Sequence, residues 1–246
     1  YTRIRILAVL FWIAIWQLAS MYLKQEILLA SPVSVVQKLF ELIFSRNFWY
    51  SVGFSFVRIV TGFLLAVLLG IFLAILAYWS KTVEILIAPV IAVVKSTSVA
   101  SFIILCLIWI LSRNLSVFIS FLMVLPVIYT NILEGIRQTD SKILEMAKVF
   151  QVNPGRKIRY IYVSQVLPYF LSACRLSLGM CWKAGVAAEV IGVPSGSIGE
   201  KLYNAKIYLN TPDLFAWTIV IIVISFVFEK CFLGIVSRVV YMIEHK

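Results

Sequence analysis

SKILEMAKVFQVNPGRKIRYIY, from Ser141 to Tyr162, interrupts a chain that is otherwise mostly apolar. Asp140, just ahead of it, is placed to accept the orphan amides of a helix's first turn. Ile143, Leu144, Ala147 and Phe150 then fall on one side, while Lys142, Glu145, Lys148 and Gln151 fall mainly on the other. Asn153-Pro154-Gly155 is a turn signal, and a basic run follows it from Arg156 to Arg159. The spacing predicts a short helix, a chain reversal and a return helix. What flanks this polar unit decides the fold.

The flanks are oil. The 246 residues are 62% hydrophobic and 13% charged, with a mean hydropathy of +1.00, where a soluble domain is about half apolar and a quarter charged. Apolar stretches of roughly 20 residues recur, the length that crosses about 30 Å of hydrocarbon as helix. The roughly ten-residue alternating segments of a membrane barrel are absent. The reading is an all-α integral membrane protein with six spans: about Ile4–Leu23, Val52–Trp79, Ile85–Leu111, Leu115–Leu133, Pro168–Gly192 and Leu214–Tyr241. The first is longer than a secretory apolar core and has no convincing cleavage site, so it reads as a span. Pro89, Lys95 and Ser96-Thr97-Ser98 predict a break or kink in the third. SPVSVVQKLFELIFS, between the first two spans, reads as an interfacial helix entered at Ser31-Pro32, with Val36, Leu39, Phe40 and Ile43 on one face.

Basic residues orient the bundle. With the N-terminus inside, Arg3, Arg5, Lys81, Arg137, Lys142, Lys148, Arg156, Lys157, Arg159, Arg238 and Lys246 are cytoplasmic, against Lys24, Lys38, Arg46, Arg113, Lys201 and Lys206 outside. The bias places both termini and the polar unit in the cytoplasm. It also accounts for the net charge of +11 without nucleic acid. Cys106, Cys174, Cys181 and Cys231 all lie in apolar segments without a CxxC pair, and His245 is the single histidine. Buried inert thiols are expected, with no disulfide framework or metal site. No tandem repeat or linker sets off a second domain, so residues 1–246 read as one membrane domain.

Small residues recur every fourth position: Gly62, Ala66, Gly70 and Ala74 in the second span, Ala173, Ser177, Cys181 and Gly185 in the fifth, with Ala184, Ala188 and Gly192 on another face of the fifth. This spacing lets helix backbones approach closely in lipid. The ladders pack within one bundle or, for part of the fifth span, against a second copy of the chain.

EMAKVFQVNPGRKIRYIYVSQVLP resembles the EAA loop of ABC-importer permeases, with Glu145, Met146 and Ala147 at the EAA positions and Leu167-Pro168 at the second Leu-Pro of the nitrate/sulfonate/taurine-type branch. SPVSVVQKLFELI, SFVRIVTGF and RLSLGMCWKAGVAAEVIG are similar to that branch's Ser-Pro helix, second-span opening and fifth span. Gln151 replaces the loop glycine, Val163-Ser164 the first Leu-Pro, and Ser98 and Leu111 stand where the branch often has Pro and Gly. The resemblance covers about Ser31 to Val239. It implies the six-helix type I importer permease fold in a bacterial cell membrane, with a coupling loop at about 134–165 gripped by two cytoplasmic ATPase subunits that use ATP and Mg. It also implies a second permease copy, commonly a homodimer, an external substrate-binding protein, and a small, often anionic solute. Within the loop, Asp140, Ile143, Leu144, Glu145, Met146, Ala147, Phe150, Gln151, Asn153, Pro154 and Gly155 are the candidate coupling residues. The chain binds no cofactor in this reading.

Charges inside spans cost roughly 2.5–3.5 kcal/mol each on insertion scales, so each asks for a reason. Arg58 is close enough to the outer face to snorkel. Lys95 and Ser98 line a polar path or form a local structural pair. Lys183 and Glu189, six apart, do not share a helix face; Glu189 is either a pore-mouth or docking group, or a hydrogen-bonded structural acid. Trp182 is a packing residue, an interfacial anchor or a substrate platform. GVPSGSIG at 192–199 lacks the Gly-Lys-Ser/Thr of a phosphate loop and reads as an outer turn, so ATP hydrolysis belongs to partners. A stand-alone secondary transporter or channel is the alternative; it calls for inverted repeats or ion-coupling residues. An intramembrane enzyme lacks an internal His or Asp.

Overall fold

The protein is described by a computed structural model that covers residues 2–23, 25 and 27–244, without the side chains of residues 2–6, 9 and 239–244. Tyr1, Lys24, His245 and Lys246, and the side chains of Arg3 and Arg5, lie outside the described residues. All regular structure among the described residues is helical. The order is α1 (Thr2–Leu23), α2 (Pro32–Ile43), α3 (Arg46–Trp79), α4 (Lys81–Ser96), α5 (Val99–Cys106), α6 (Ser112–Arg137), α7 (Ser141–Val149), α8 (Pro154–Lys157), a π turn (Ile158–Tyr162), α9 (Val163–Gly192), α10 (Ile198–Ile207) and α11 (Thr211–Glu244).

The middle of the bundle is α6, flanked by α3 and α9. Apolar residues repeat at helical spacing on these three, and Ile59, Phe63, Ile128 and Cys174 reach zero exposure. Glycine sets the spacing. A Cβ on Gly62 would run into the Val117 carbonyl oxygen and come within 2.9 Å of Ser120 Cβ. One on Gly70 would meet Ile128 Cγ2 at 2.8 Å, and one on Gly185 would meet Ser120 Oγ at 2.6 Å and Ile59 Cγ1 at 2.7 Å. Ala66, Ala74 and Ala188 are fully buried along the same seams. Both small-residue faces of α9 are therefore covered by helices of the same chain, as close backbone packing in lipid requires. From α11, Phe228 and Phe232 add edge-on ring contacts to Phe63, at 6.0 and 5.0 Å between centroids.

By length and apolarity α3, α6 and α11 each suffice to cross a membrane, and α4 with α5 makes up to four if the pair is one span. That pair bends by 107° at Thr97-Ser98, as the polar triplet predicts, while Pro89 stays inside α4. A straight third span to Leu111 does not form, because the chain turns after Cys106. The described apolar part of α1 is Leu10–Leu23, and α9 carries Arg175, Lys183 and Glu189. Neither matches the other spans in apolar length, so six separate apolar crossings do not follow from length and hydropathy alone. At 34 residues, α3 is roughly 51 Å long and exceeds the hydrocarbon thickness.

Helix α2 starts as the sequence predicts, with the Ser34 amide donating to Ser31 Oγ at 3.1 Å. Its faces differ from the expected amphipathic split. Val35, Leu39 and Leu42 pack towards α11, while Val36, Phe40 and Ile43 remain exposed on the other side. One face of the helix packs against the bundle and the other is open. Cys106, Cys174 and Cys181 are buried free thiols, whereas Cys231 is exposed on α11.

Candidate functional site

The polar unit forms two helices around a sharp corner. Asp140 caps α7, its Oδ1 accepting from the Lys142 amide at 2.9 Å. The Asp140 amide donates to Gln165 Oε1 of α9 at 2.8 Å, which ties the start of the loop helix to the bundle. Ala147 is buried and Ile143 and Leu144 half-buried, so this side faces the protein. The apolar surface left open is Met146, Val149 and Phe150, at 55%, 78% and 74% exposure. Phe150 thus separates from Ile143 and Leu144, with which its periodicity groups it, because it already belongs to the helix end. Glu145 is exposed beside this surface.

The corner lies two residues before the expected one. The Val152 amide donates to the Ala147 carbonyl at 2.9 Å and the Gln151 amide to the Lys148 carbonyl at 3.1 Å, a Schellman closure. Gln151 adopts φ 47° to make it, at the position where the resembled loop has glycine. Asn153-Pro154-Gly155 does not stop a helix but starts one: Asn153 Oδ1 accepts from the Gly155 amide at 3.0 Å, and Pro154 occupies the first turn of α8. The return helix then runs through the π turn into α9 without a gap. A wide i→i+5 turn at this junction is the kind of irregularity that gathers at functional sites. Beside it, α3, α6 and α9 border an apolar cavity of about 580 Å³ whose wall includes Tyr78, Lys157 and Tyr162. At the same end Arg137 closes α6 by donating to Glu84 of α4 at 2.6 Å.

The intramembrane candidates separate. Lys95 and Ser98 are exposed at the α4–α5 bend, and Lys183 is exposed on α9. Trp182, at 2% exposure, points into the core against Phe56 and Phe228, 6.0 and 6.3 Å away between ring centroids. Arg58 lays its guanidinium 4.0 Å from the centre of the Phe54 ring. Glu189 is completely buried and accepts from the Ser55 hydroxyl at 2.6 Å. The structure does not gather these residues into one site. Among the described residues no cluster of His, Cys, Asp and Glu has a geometry for metal.

The outer turn expected at 192–199 gives way to a helix at its last two residues, and residues 200–207, to which the sequence reading assigned no element, continue it as α10. The signal was available as Ser197-Ile198-Gly199-Glu200, a capping-box pattern. Ser197 Oγ accepts from the Glu200 amide at 3.0 Å, and Glu200 Oε2 accepts in return from the Gly196 amide at 2.6 Å.

Comparison with known proteins fits this architecture. A Bacillus subtilis (strain 168) protein named as an aliphatic sulfonates transport permease is 31% identical over 87% of this chain and 78% of its own length. The taurine transport system permease protein of Escherichia coli K12 is 25% identical over 87% and 80%. A chain from the crystal structure of an amino acid ABC transporter shares the fold, with a TM-score of 0.51 at 20% identity, covering 76% of this chain and 88% of that one. Residues 66–240 match the profile of one family over most of the chain, and by that match the protein belongs to the binding-protein-dependent transport system inner membrane components, the permeases of ABC importers.

Proposed function

We infer that, as a member of that family, the chain is a membrane transport subunit that works with ATPase and binding-protein partners. We propose that residues 1–246 act as one permease domain and that the ATPase subunits dock on α7. The single observation that carries this reading is the open Met146–Val149–Phe150 surface, held away from the bundle on a helix tethered through Gln165. Exposed apolar residues flanked by charge suit a helix-in-groove contact, with Glu145 and Lys148 setting its register. Two ATPase subunits, using ATP and Mg, grip two such loops on a homodimer of permeases, and their closure rocks the bundles. This chain carries no ATPase site. Both termini and α7 are cytoplasmic in a bacterial cell membrane, and α10 faces the external binding protein.

For the solute we propose a small organic sulfonate, on the strength of the aliphatic sulfonate and taurine permeases among its relatives. The test is uptake of taurine and of ethanesulfonate into proteoliposomes carrying the permease alone or the complex with ATPases and binding protein. The proposal expects uptake that needs ATP and all components. Equal uptake by the permease alone would favour a stand-alone transporter instead.

A further inference from the structure

The corner between α9 and α10, at the end of α9 away from α7, holds a buried acid. Glu189, near the end of α9, is 0% exposed. Its Oε2 accepts from the Ser55 hydroxyl of α3 at 2.6 Å and from the Gly199 amide of α10 at 3.3 Å. The Ser55 hydroxyl in turn accepts from the Ile198 amide at 2.9 Å. A serine that donates to the acid and accepts from a helix amide works as a relay. Together acid and relay satisfy two of the orphan N–H groups that open α10, and they pin three helices at one point.

Two further observations make this a built junction. Gly199 rests directly on the Glu189 backbone, where a Cβ has no room. The link between α9 and α10 passes through Val193 at φ 44°, a left-handed conformation that a β-branched residue keeps only when its surroundings impose it. At the other end of the same helix, Gln165 holds the start of α7, roughly 36 Å along the helix axis from Glu189.

We propose that Glu189 is a positioning residue that makes α10 and the adjoining ends of α3 and α9 one mechanical body, so that movement driven at α7 reaches α10. The proposal rests on the transport reading above and adds the device that carries the motion across. Its test needs no knowledge of the solute. In the complete complex with ATPase subunits, the exposed thiol is removed by Cys231→Ser and a reporter is placed at the C-terminal cap of α10 by Tyr208→Cys, a position 79% exposed. Labelling by a membrane-impermeant maleimide is timed without nucleotide and with ATP plus vanadate.

The expected result in the parent is a change in labelling rate of about fivefold, at the low end of coupling between distant sites. Glu189→Ala abolishes that change while ATP hydrolysis persists, and Glu189→Gln, which keeps an acceptor oxygen in place, restores it. A full nucleotide-dependent change in Glu189→Ala overturns the proposal, and so does a parallel loss of hydrolysis and labelling change, which marks a purely structural role. Should Glu189→Ala fail to assemble, Ser55→Ala removes the relay with the acid intact and is read in the same way. A parent complex that hydrolyses ATP with no change at Tyr208 also overturns it. Failure of ATPase subunits to assemble on the parent chain counts against the transport reading and not against the Glu189 junction.

Discussion

Helices α7 and α10 are nine and ten residues long, sit at opposite ends of α9, and are built to the same local plan. Each opens on a side-chain cap, Asp140 or Ser197. Each closes on a Schellman pair with a non-glycine residue in the left-handed region, Gln151 at φ 47° and Leu209 at φ 54°. They differ in how they are anchored. α10 is fixed through a buried carboxyl, a serine relay and a glycine that admits no side chain. α7 is held by one hydrogen bond to Gln165 and one buried alanine, and it keeps its largest apolar side chains outside. Local code makes both helices; tertiary anchoring makes one of them part of the bundle and leaves the other available to a partner.

The largest expected break in this comparison is Gly199→Ala. The new methyl coincides with the Glu189 backbone, so stability falls by about 3 kcal/mol or more, read as thermal unfolding of the detergent-solubilised complex. At α7 the corresponding insult has the opposite profile. Phe150→Asp changes stability by no more than about 0.5 kcal/mol, because the site is exposed. It removes about 2 kcal/mol of partner contact, seen as a roughly 30-fold higher ATPase concentration for half-maximal assembly. A smaller effect belongs to Asp140→Ala, which strips the cap and costs about 1 kcal/mol; faster hydrogen exchange at the Lys142 amide reads it. The smallest is a gain. Gln151→Gly relieves left-handed strain of about 1–2 kcal/mol against a glycine entropy cost of about 0.5–1 kcal/mol, and so slows exchange at the Val152 amide. Unchanged exchange there would mean that Gln151 carries no strain.

What the sequence reveals follows the range of the interaction. Asp140 as a cap and the break at Thr97-Ser98 follow from neighbours a few residues away, while the close packing of Gly62 and Gly70 against α6 is signalled by the four-residue spacing of small side chains on α3. The corner is harder. Asn153-Pro154 is equally good as a helix start and as a stop, and only the bonds made by Gln151 and Val152 decide it. The face of α7 was legible for Ala147 but not for Phe150, since periodicity does not say where a helix ends. Glu189 was least legible of all. Its partners lie at Ser55, 134 residues away, and at Gly199, across a corner whose helix was itself hidden in an apparent turn.

We propose that the open face of α7 is where the ATPase subunits bind, on the cytoplasmic side. The direct measurement is maleimide labelling of Val149→Cys, a position 78% exposed, in the Cys231→Ser background and in vesicles of both orientations. Rapid labelling is expected in inside-out vesicles stripped of ATPase, protection when ATPase subunits are added back, and none in right-side-out vesicles. Labelling that is equally fast with the ATPase subunits bound, or that occurs from the outside, would contradict it.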